Sequence, residues 1–259
     1  MSAAVYPNYP DLHGKVAVVT GGSKGIGAAT CQLLVDNGVR VAVVARERSA
    51  IDAEVDALQA SGGKAIGVEA RCEVWQDLLA MLAEVTARLG PVDILIPFAG
   101  GFSSVRGVLE TTEAEWRADL DANLTSTFLT VKAFLPGMIE RRRGAVVTMA
   151  SNAGRLLDIP LAASYAAAKA GVITFTRHLA LEVGRYGIRA NCVAPATTMS
   201  PRVEGLMNRQ RLSEIAAMSP LGRIGTPLDT AHATVFLVSE AASWLTGVTM
   251  DIAGGRVML

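Results

Sequence analysis

Two residues four apart, Tyr165 and Lys169 in the run SYAAAKAG, are the strongest candidates for chemistry in this sequence. On a helix, positions i and i+4 share a face, with about 5–6 Å between their Cβ atoms. An ammonium that close lowers a phenol's pKa from its ordinary value near 10 toward one useful for proton transfer. The neighbours Ala166, Ala167, Ala168, Ala170 and Gly171 are small, so this face admits another backbone or a cofactor. The hydroxyl of Ser151 ends the apolar run AVVTMA, and open α/β sheets bind ligands at the carboxyl ends of their strands.

A second group binds rather than reacts. Thr20-Gly21-Gly22-Ser23-Lys24-Gly25-Ile26-Gly27 follows the run KVAVVT and opens a helical pattern. Its glycines let the backbone turn tightly and approach a pyrophosphate. The helix N-terminus then offers free N–H groups and the positive end of its dipole. A strand before and a helix after are the context such a turn requires.

The elements that must hold these groups alternate along the chain. Short apolar runs at Lys15–Thr20, Val39–Ala45, Lys64–Ala70, Val92–Pro97, Ala145–Ala150 and Ile188–Ala194 read as strands buried on both faces, and a last apolar run, Val248–Ile252, closes the series. Helical patterns separate them at Ile26–Asp36, Ile51–Ala60, Leu78–Leu89, Glu113–Ile139, Tyr165–Val183 and Asp229–Ser239. This alternation predicts an α/β doubly wound parallel sheet, a Rossmann fold of about seven strands with helices on both faces. It reads as a single domain over residues 14–259 after a lead-in at 1–13. The Pro- and Met-bearing stretch at about 197–220 breaks the rhythm and is expected to form a lid over the substrate.

Composition narrows the function classes. The chain has 259 residues, 51% apolar and 19% charged, which is globular and not disordered. Lys plus Arg number 24 and Asp plus Glu number 24, so no basic excess points to nucleic acid. No apolar stretch is long enough for a membrane helix, and the N-terminus lacks the pattern of a secretion signal. Cys31, Cys72 and Cys192 are odd in number and scattered, as are His13, His178 and His232. Free buried thiols in a reducing cytoplasm are expected, with neither disulfide nor metal site.

The turn spacing TGxxxGxG differs from the common GxGxxG and resembles that of the short-chain dehydrogenase/reductase family. Asn123, Ser151, Tyr165 and Lys169 match that family's catalytic tetrad in motif and order, Asn123 lying in DANLTSTF. The resemblance covers residues 12–256. It implies hydride transfer between a nicotinamide and a carbonyl or secondary alcohol. Tyr165 would exchange the proton, Ser151 bond the carbonyl oxygen, and Lys169 depress the phenol and hold the ribose. Asn123 would place a water behind Lys169. The resemblance also assigns cofactor contacts to Gly21, Ser23, Lys24, Gly25, Ile26, Gly27, Arg46, Ala99, Gly100, Tyr165, Lys169, Pro195 and Thr198.

Charge decides the nucleotide. NAD enzymes place a carboxylate at the end of the second strand, and NADP enzymes a cation for the 2′-phosphate. Here that strand ends Val44-Ala45-Arg46 with Lys24 nearby, which favours NADP(H) and leaves NAD(H) as the alternative. Glu47 follows directly. The chain departs from the family at Phe98, which replaces an asparagine, and at Arg71, which replaces an adenine-facing aspartate that Glu73 would substitute. Arg141-Arg142-Arg143 ends a helix, where cations complement the dipole. In 3-oxoacyl-carrier-protein reductases, which the chain resembles, a basic residue at Arg142 meets the acidic carrier, and a second falls on Tyr186 beside Arg185. An acyl carrier protein is therefore an expected partner, a 3-oxoacyl thioester an expected substrate, and a homodimer or homotetramer the expected assembly. An NAD-dependent alcohol, sugar or steroid dehydrogenase and a non-catalytic dinucleotide sensor are the alternatives.

Overall fold

The computed structural model describes residues 7–102, 104–156 and 161–258. Among them, seven strands form one parallel sheet in the order β3-β2-β1-β4-β5-β6-β7. The strands are β1 (Val16–Thr20), β2 (Arg40–Ala45), β3 (Ala65–Glu69), β4 (Ile94–Pro97), β5 (Gly144–Met149), β6 (Ile188–Pro195) and β7 (Thr249–Ile252). Register is fixed along the sheet, with Thr20 opposite both Val44 and Pro97. The strand order reverses between β1 and β4, the place where such sheets open a crevice for ligands.

Two helical layers cover the sheet. On one face lie α1 (Gly25–Asp36), α2 (Arg48–Ala60) and α9 (Pro227–Val238); Ala17 and Val19 of β1 join that core with Leu34, Leu58 and Val235. On the other lie α3 (Trp75–Leu89), α5 (Ser126–Arg141) and α6 (Ala163–Val183); Val16 and Val18 pack there with Leu78, Met138 and Val183. Alternate residues of β1 thus face opposite cores, which is why the strand is apolar at every position but its last. Each such fully buried aliphatic side chain is worth about 1.5–3 kcal/mol over leaving it exposed.

The continuous helix expected over Glu113–Ile139 is instead two helices. A π-helical turn at Asp121–Thr125 separates α4 (Glu113–Leu120) from α5. The physical reason lies in Asn123. Its Nδ2 donates to Asp119 O at 3.0 Å, and the backbone bond closing the turn runs from Ser126 N to Asp121 O, five residues back. Such one-turn π segments concentrate at functional sites.

The segment before β1 is packed. Leu12 is buried, Tyr9 N donates to Asn37 Oδ1 at 2.7 Å, and Asp11 Oδ2 accepts Glu240 N at 3.0 Å. The stretch expected as a lid contains two short helices, α7 (Pro201–Leu206) and α8 (Arg209–Ala217). Its base is a two-stranded neck: Met199 N donates to Gly225 O at 2.7 Å and Gly225 N to Thr197 O at 3.2 Å. The excursion therefore closes at Gly225, beyond Pro220.

Residue 27 fixes how closely α1 meets β1. A Cβ there would sit 2.1 Å from Gly21 O, a backbone atom that cannot swing aside. Gly27→Ala is expected to destabilise the protein by about 1–3 kcal/mol, the range for overpacking. Thermal denaturation checks this; an unchanged melting temperature contradicts the close contact.

Candidate active site

The cofactor cradle starts at Gly21, which has φ +67° and whose Cβ would lie 2.8 Å from Phe98 O. Gly25 has φ +56° and open space within 4 Å of its missing Cβ, so nothing of the protein covers the crest of the turn. Lys24 caps α1 in extended conformation with no side-chain capping bond, leaving the first N–H groups of the helix available. A left-handed glycine turn, an open crest and an uncapped helix N-terminus fit a pyrophosphate. Ser23 and Ile26 flank this crest in sequence. Thr20 Oγ1 accepts Ala99 N at 3.0 Å, which ties the end of β1 to the chain leaving β4. Phe98, where the family pattern has asparagine, is buried in the α1-side core.

The adenosine end is defined by β2. Ala45 offers no carboxylate, and Arg46 is exposed with no hydrogen bond or ion pair among the described residues. Lys24 Nζ pairs with Glu47 Oε2 at 2.8 Å, both side chains well exposed. Arg71 is held by Asp77 at 2.9 Å, so the guanidinium at the expected adenine position braces the turn after β3.

Ser151 leaves β5 and caps a short 3-10 turn, Asn152–Gly154, its Oγ accepting Ala153 N at 3.2 Å. That turn lies directly on α6. A Cβ on Gly154 would be 2.7 Å from the Lys169 carbonyl carbon and 2.8 Å from Ala170 N. Only glycine permits this approach, and it brings Ser151 to the helix that carries Tyr165 and Lys169. Arg155 closes the turn and pairs with Asp251 of β7 at 2.9 Å. Burial pushes the Asp251 carboxyl up, against the pull of Arg155.

Lys169 is 4% exposed, and its Nζ donates to Met149 O at 3.0 Å. The ammonium lies 5.7 Å from the centre of the Tyr165 ring. Desolvation by burial lowers its pKa to about 8, with the neighbouring Cys192 opposing the shift. One carbonyl satisfies one of three ammonium protons, so the group is suited to hydroxyl acceptors on a ligand. Phe102 also packs on the Tyr165 ring in a T-shaped arrangement, with centroids 5.6 Å apart.

Asn123 is fully buried and its amide is used on the protein. Oδ1 accepts Gly101 N at 2.9 Å, while Nδ2 donates to Gly101 O at 3.2 Å and Asp119 O at 3.0 Å. It thereby clamps the chain just beyond Gly100. Pro195 ends β6, and Thr198 Oγ1 donates to Ala196 O at 3.1 Å. Ser200 caps α7 through Val203 N. A cavity of about 260 Å³ lies beside the stretch expected as a lid, lined by Thr197, Ile215, Leu221 and Ile252 among others. Residues 157–160, between the Ser151 turn and α6, lie outside the described residues.

Several residues here escape sequence reasoning. Gly154 carries no motif, and its role follows only from the helix it meets. Asp119 has one signal: it stands four before Asn123, on the same helix face. Among the described residues no His, Cys, Asp and Glu group could hold a metal ion, and no helix is long and apolar enough to cross a membrane.

Known proteins share this arrangement. A family model described as enoyl-(acyl carrier protein) reductase matches residues 21–256. The 3-oxoacyl-(acyl-carrier-protein) reductase of Vibrio cholerae is 38% identical over 250 residues, covering 96% of this chain and all of that protein. The 2,5-dichloro-2,5-cyclohexadiene-1,4-diol dehydrogenase of Sphingobium indicum is 37% identical over 255 residues, covering 95% of this chain and 98% of that one. A crystal structure of a 3-oxoacyl-(acyl-carrier protein) reductase with bound NAD, from Brucella melitensis, superposes with a TM-score of 0.91 at 30% identity. It covers 100% of this chain and 98% of its own. Relatives that act on alcohol and carbonyl groups, matched over nearly their whole length, join the cradle and the Tyr165–Lys169 helix in one conclusion: the chain belongs to the short-chain dehydrogenase/reductase family, oxidoreductases that work with a nicotinamide cofactor.

Proposed function

We propose that this protein is an NADP(H)-dependent reductase of 3-oxoacyl thioesters, with Tyr165 as general acid. The buried Lys169 ammonium, 5.7 Å from the Tyr165 ring and beneath the end of β5, is the observation that carries this reading. A nicotinamide nucleotide, when bound, supplies the hydride. Ser151 donates a hydrogen bond to the substrate carbonyl oxygen and fixes its place. Tyr165 delivers a proton to that oxygen as it becomes an alkoxide, and takes it back in the reverse direction. Lys169 holds the ribose and favours the phenolate electrostatically. Asn123 holds the loop after Gly100 in place, and by family resemblance it would place a water that leads from Lys169 to solvent.

Cofactor preference rests on charge. Lys24 and Arg46 outweigh Glu47 by one positive charge at the end of β2, which suits a 2′-phosphate. Substrate preference rests on the relatives and on the lid with its cavity. Arg142 and Arg185 flank Tyr186, at 6.0 and 4.8 Å from its ring, and form a basic patch suited to an acidic carrier protein. Phe128 on α5 and Leu181 on α6 are 43% and 85% exposed in the single chain, which supports a homodimer or homotetramer built on these helices. Three buried free thiols suit a reducing cytoplasm.

Three measurements test this reading. Tyr165→Phe is expected to lower kcat about 10²–10⁴-fold, the usual worth of a positioned acid, while NADPH still binds; full turnover in steady-state assays would sink the assignment. Arg46→Glu should raise KM for NADPH about tenfold or more and leave that for NADH nearly unchanged, one charged contact being worth about a factor of ten. Equal losses with both nucleotides would remove Arg46 from phosphate reading.

The third concerns Lys169 in the cofactor-free protein. Its pKa falls from 10.5 to about 8 on folding, so the folded state holds that proton less firmly than the unfolded chain. The charged lysine therefore costs stability at pH 7, and the cost is relieved as pH rises from about 8 to 10.5. Lys169→Met is expected to be inactive yet to melt higher than wild type at pH 7. That gap should narrow at pH 10, as parallel melting curves would reveal.

A further inference from the structure

We infer that Arg106 and the buried Asp119 form a clamp that locks the outer wall of the substrate cleft to the helix carrying the proton donor. The inference rests on Tyr165 being that donor. Asp119 lies in the last turn of α4 with its side chain 8% exposed. Its Oδ2 accepts Ser164 Oγ at 2.5 Å, and Ser164 immediately precedes Tyr165 on α6. The same oxygen faces Arg106 Nη2 at 3.6 Å. Arg106 Nη1 also pairs with Glu115, one turn earlier on α4. One guanidinium from the loop after β4 thus meets two carboxylates on α4, and one of these holds α6.

Among the described residues, the loop's apolar side chains contribute little to holding it. Val108 and Leu109 are 75% and 102% exposed, and Val105 is 60% exposed. Asn123 fixes its start at Gly101, and the capping box of Thr112 with Glu115 fixes its end. Between these anchors, Arg106 is the charged side chain that ties the loop inward. Swinging it out would take away the cation that faces the buried Asp119 side chain, a costly change. Phe102, on the same loop, rests edge-on against the Tyr165 ring. Holding Arg106 therefore holds Phe102 against the proton donor, and the wall and the donor keep one fixed separation. Arg106 and Asp119 are positioning residues, since neither touches the reacting atoms.

The experiment compares Arg106→Leu, Asp119→Leu, their double variant and Asp119→Asn with wild type. Readouts are KM and kcat for a short 3-oxoacyl thioester with NADPH, NADPH affinity, melting temperature, and amide hydrogen exchange over residues 104–111. Each single Leu variant should raise KM about tenfold, the loss of one charge-assisted contact, with NADPH affinity unchanged. Exchange over 104–111 should accelerate. The double variant should be less impaired than the product of the two single effects, because both singles remove the Arg106–Asp119 contact. Asp119→Asn should recover part of the KM, since an amide oxygen still accepts from Ser164. Unchanged KM, effects that multiply in the double variant, or equal losses of NADPH affinity would overturn the clamp. If a Leu variant fails to fold, Arg106→Lys with Asp119→Asn makes the same comparison. A wild type that binds NADPH but reduces nothing would refute the catalytic reading, while hydrogen exchange would still decide the clamp.

Discussion

The site depends on an ammonium kept where water cannot reach it. Lys169 is nearly inaccessible, and its burial works against its charge hard enough to bring the pKa to about 8. A charge in that position survives only if its surroundings are rigid and its partners well placed. The surroundings here are backbone. Met149 O at the end of β5 takes one proton, and the turn after Ser151 lies against α6 so tightly that Gly154 has no room for a side chain. The small residues after Tyr165 are what make this contact possible. Packing thus does two things at once, because the surface that excludes water from Lys169 also brings the turn after Ser151 onto the helix that carries Tyr165.

The sheet supplies the second constraint. Among the described residues the seven strands are parallel, so their carboxyl ends lie along one edge, and several of the candidate groups follow those ends directly. The glycine turn follows β1, Arg46 follows β2, Gly100 follows β4, Ser151 follows β5, and Thr198 follows β6. Nothing recruits these residues individually. Right-handed crossovers bring them together, and local detail then tunes each one. The π turn at Asp121–Thr125 is such a detail. One extra residue in the turn lets Asn123 spend its whole amide on Gly101 and Asp119.

Much of this was legible in the sequence. Strands buried on both faces write themselves as continuous Val, Ile and Ala, whereas the partly buried β7 leaves only the short apolar run at Val248–Ile252. The glycine turn and the Tyr165–Lys169 pair are local, and local spacing survives folding. What stayed hidden depends on partners distant in the chain. The π turn leaves the apolar period of Glu113–Ile139 intact, so periodicity alone reads one helix. Asp119 looks like an ordinary surface acid until Ser164 and Arg106 arrive from elsewhere. Lys24 was read as a phosphate ligand, and the structure adds its pairing with Glu47. The neck of the lid closes through Gly225 because a backbone bridge carries no side-chain signature.

The arginines show how one physical rule serves both edges of the sheet. At the carboxyl edge of the strands, helices begin, and their free N–H groups favour anions. At the amino edge, helices end and leave carbonyls without partners, which favours cations. Arg40 at the start of β2 donates to Leu89 O at the end of α3, at 2.6 Å. Arg189 at the start of β6 donates to Leu237 O and Ser239 O, at the end of α9, at 2.6 and 2.9 Å. The basic run after α5 obeys the same rule. Arg141 donates to Val92 O at 2.5 Å, and Arg142 to Arg185 O at 2.9 Å. Arg143 grips Asp93 at 2.7 Å, and that buried carboxylate also accepts Val16 N. Two of the three arginines therefore fasten the start of β4, while Arg142 lies with Arg185 about Tyr186. A charge cluster that reads as a docking signal is mostly a brace. Its bonds at the amino edge fasten the end of α5 to the residues that lead into β4.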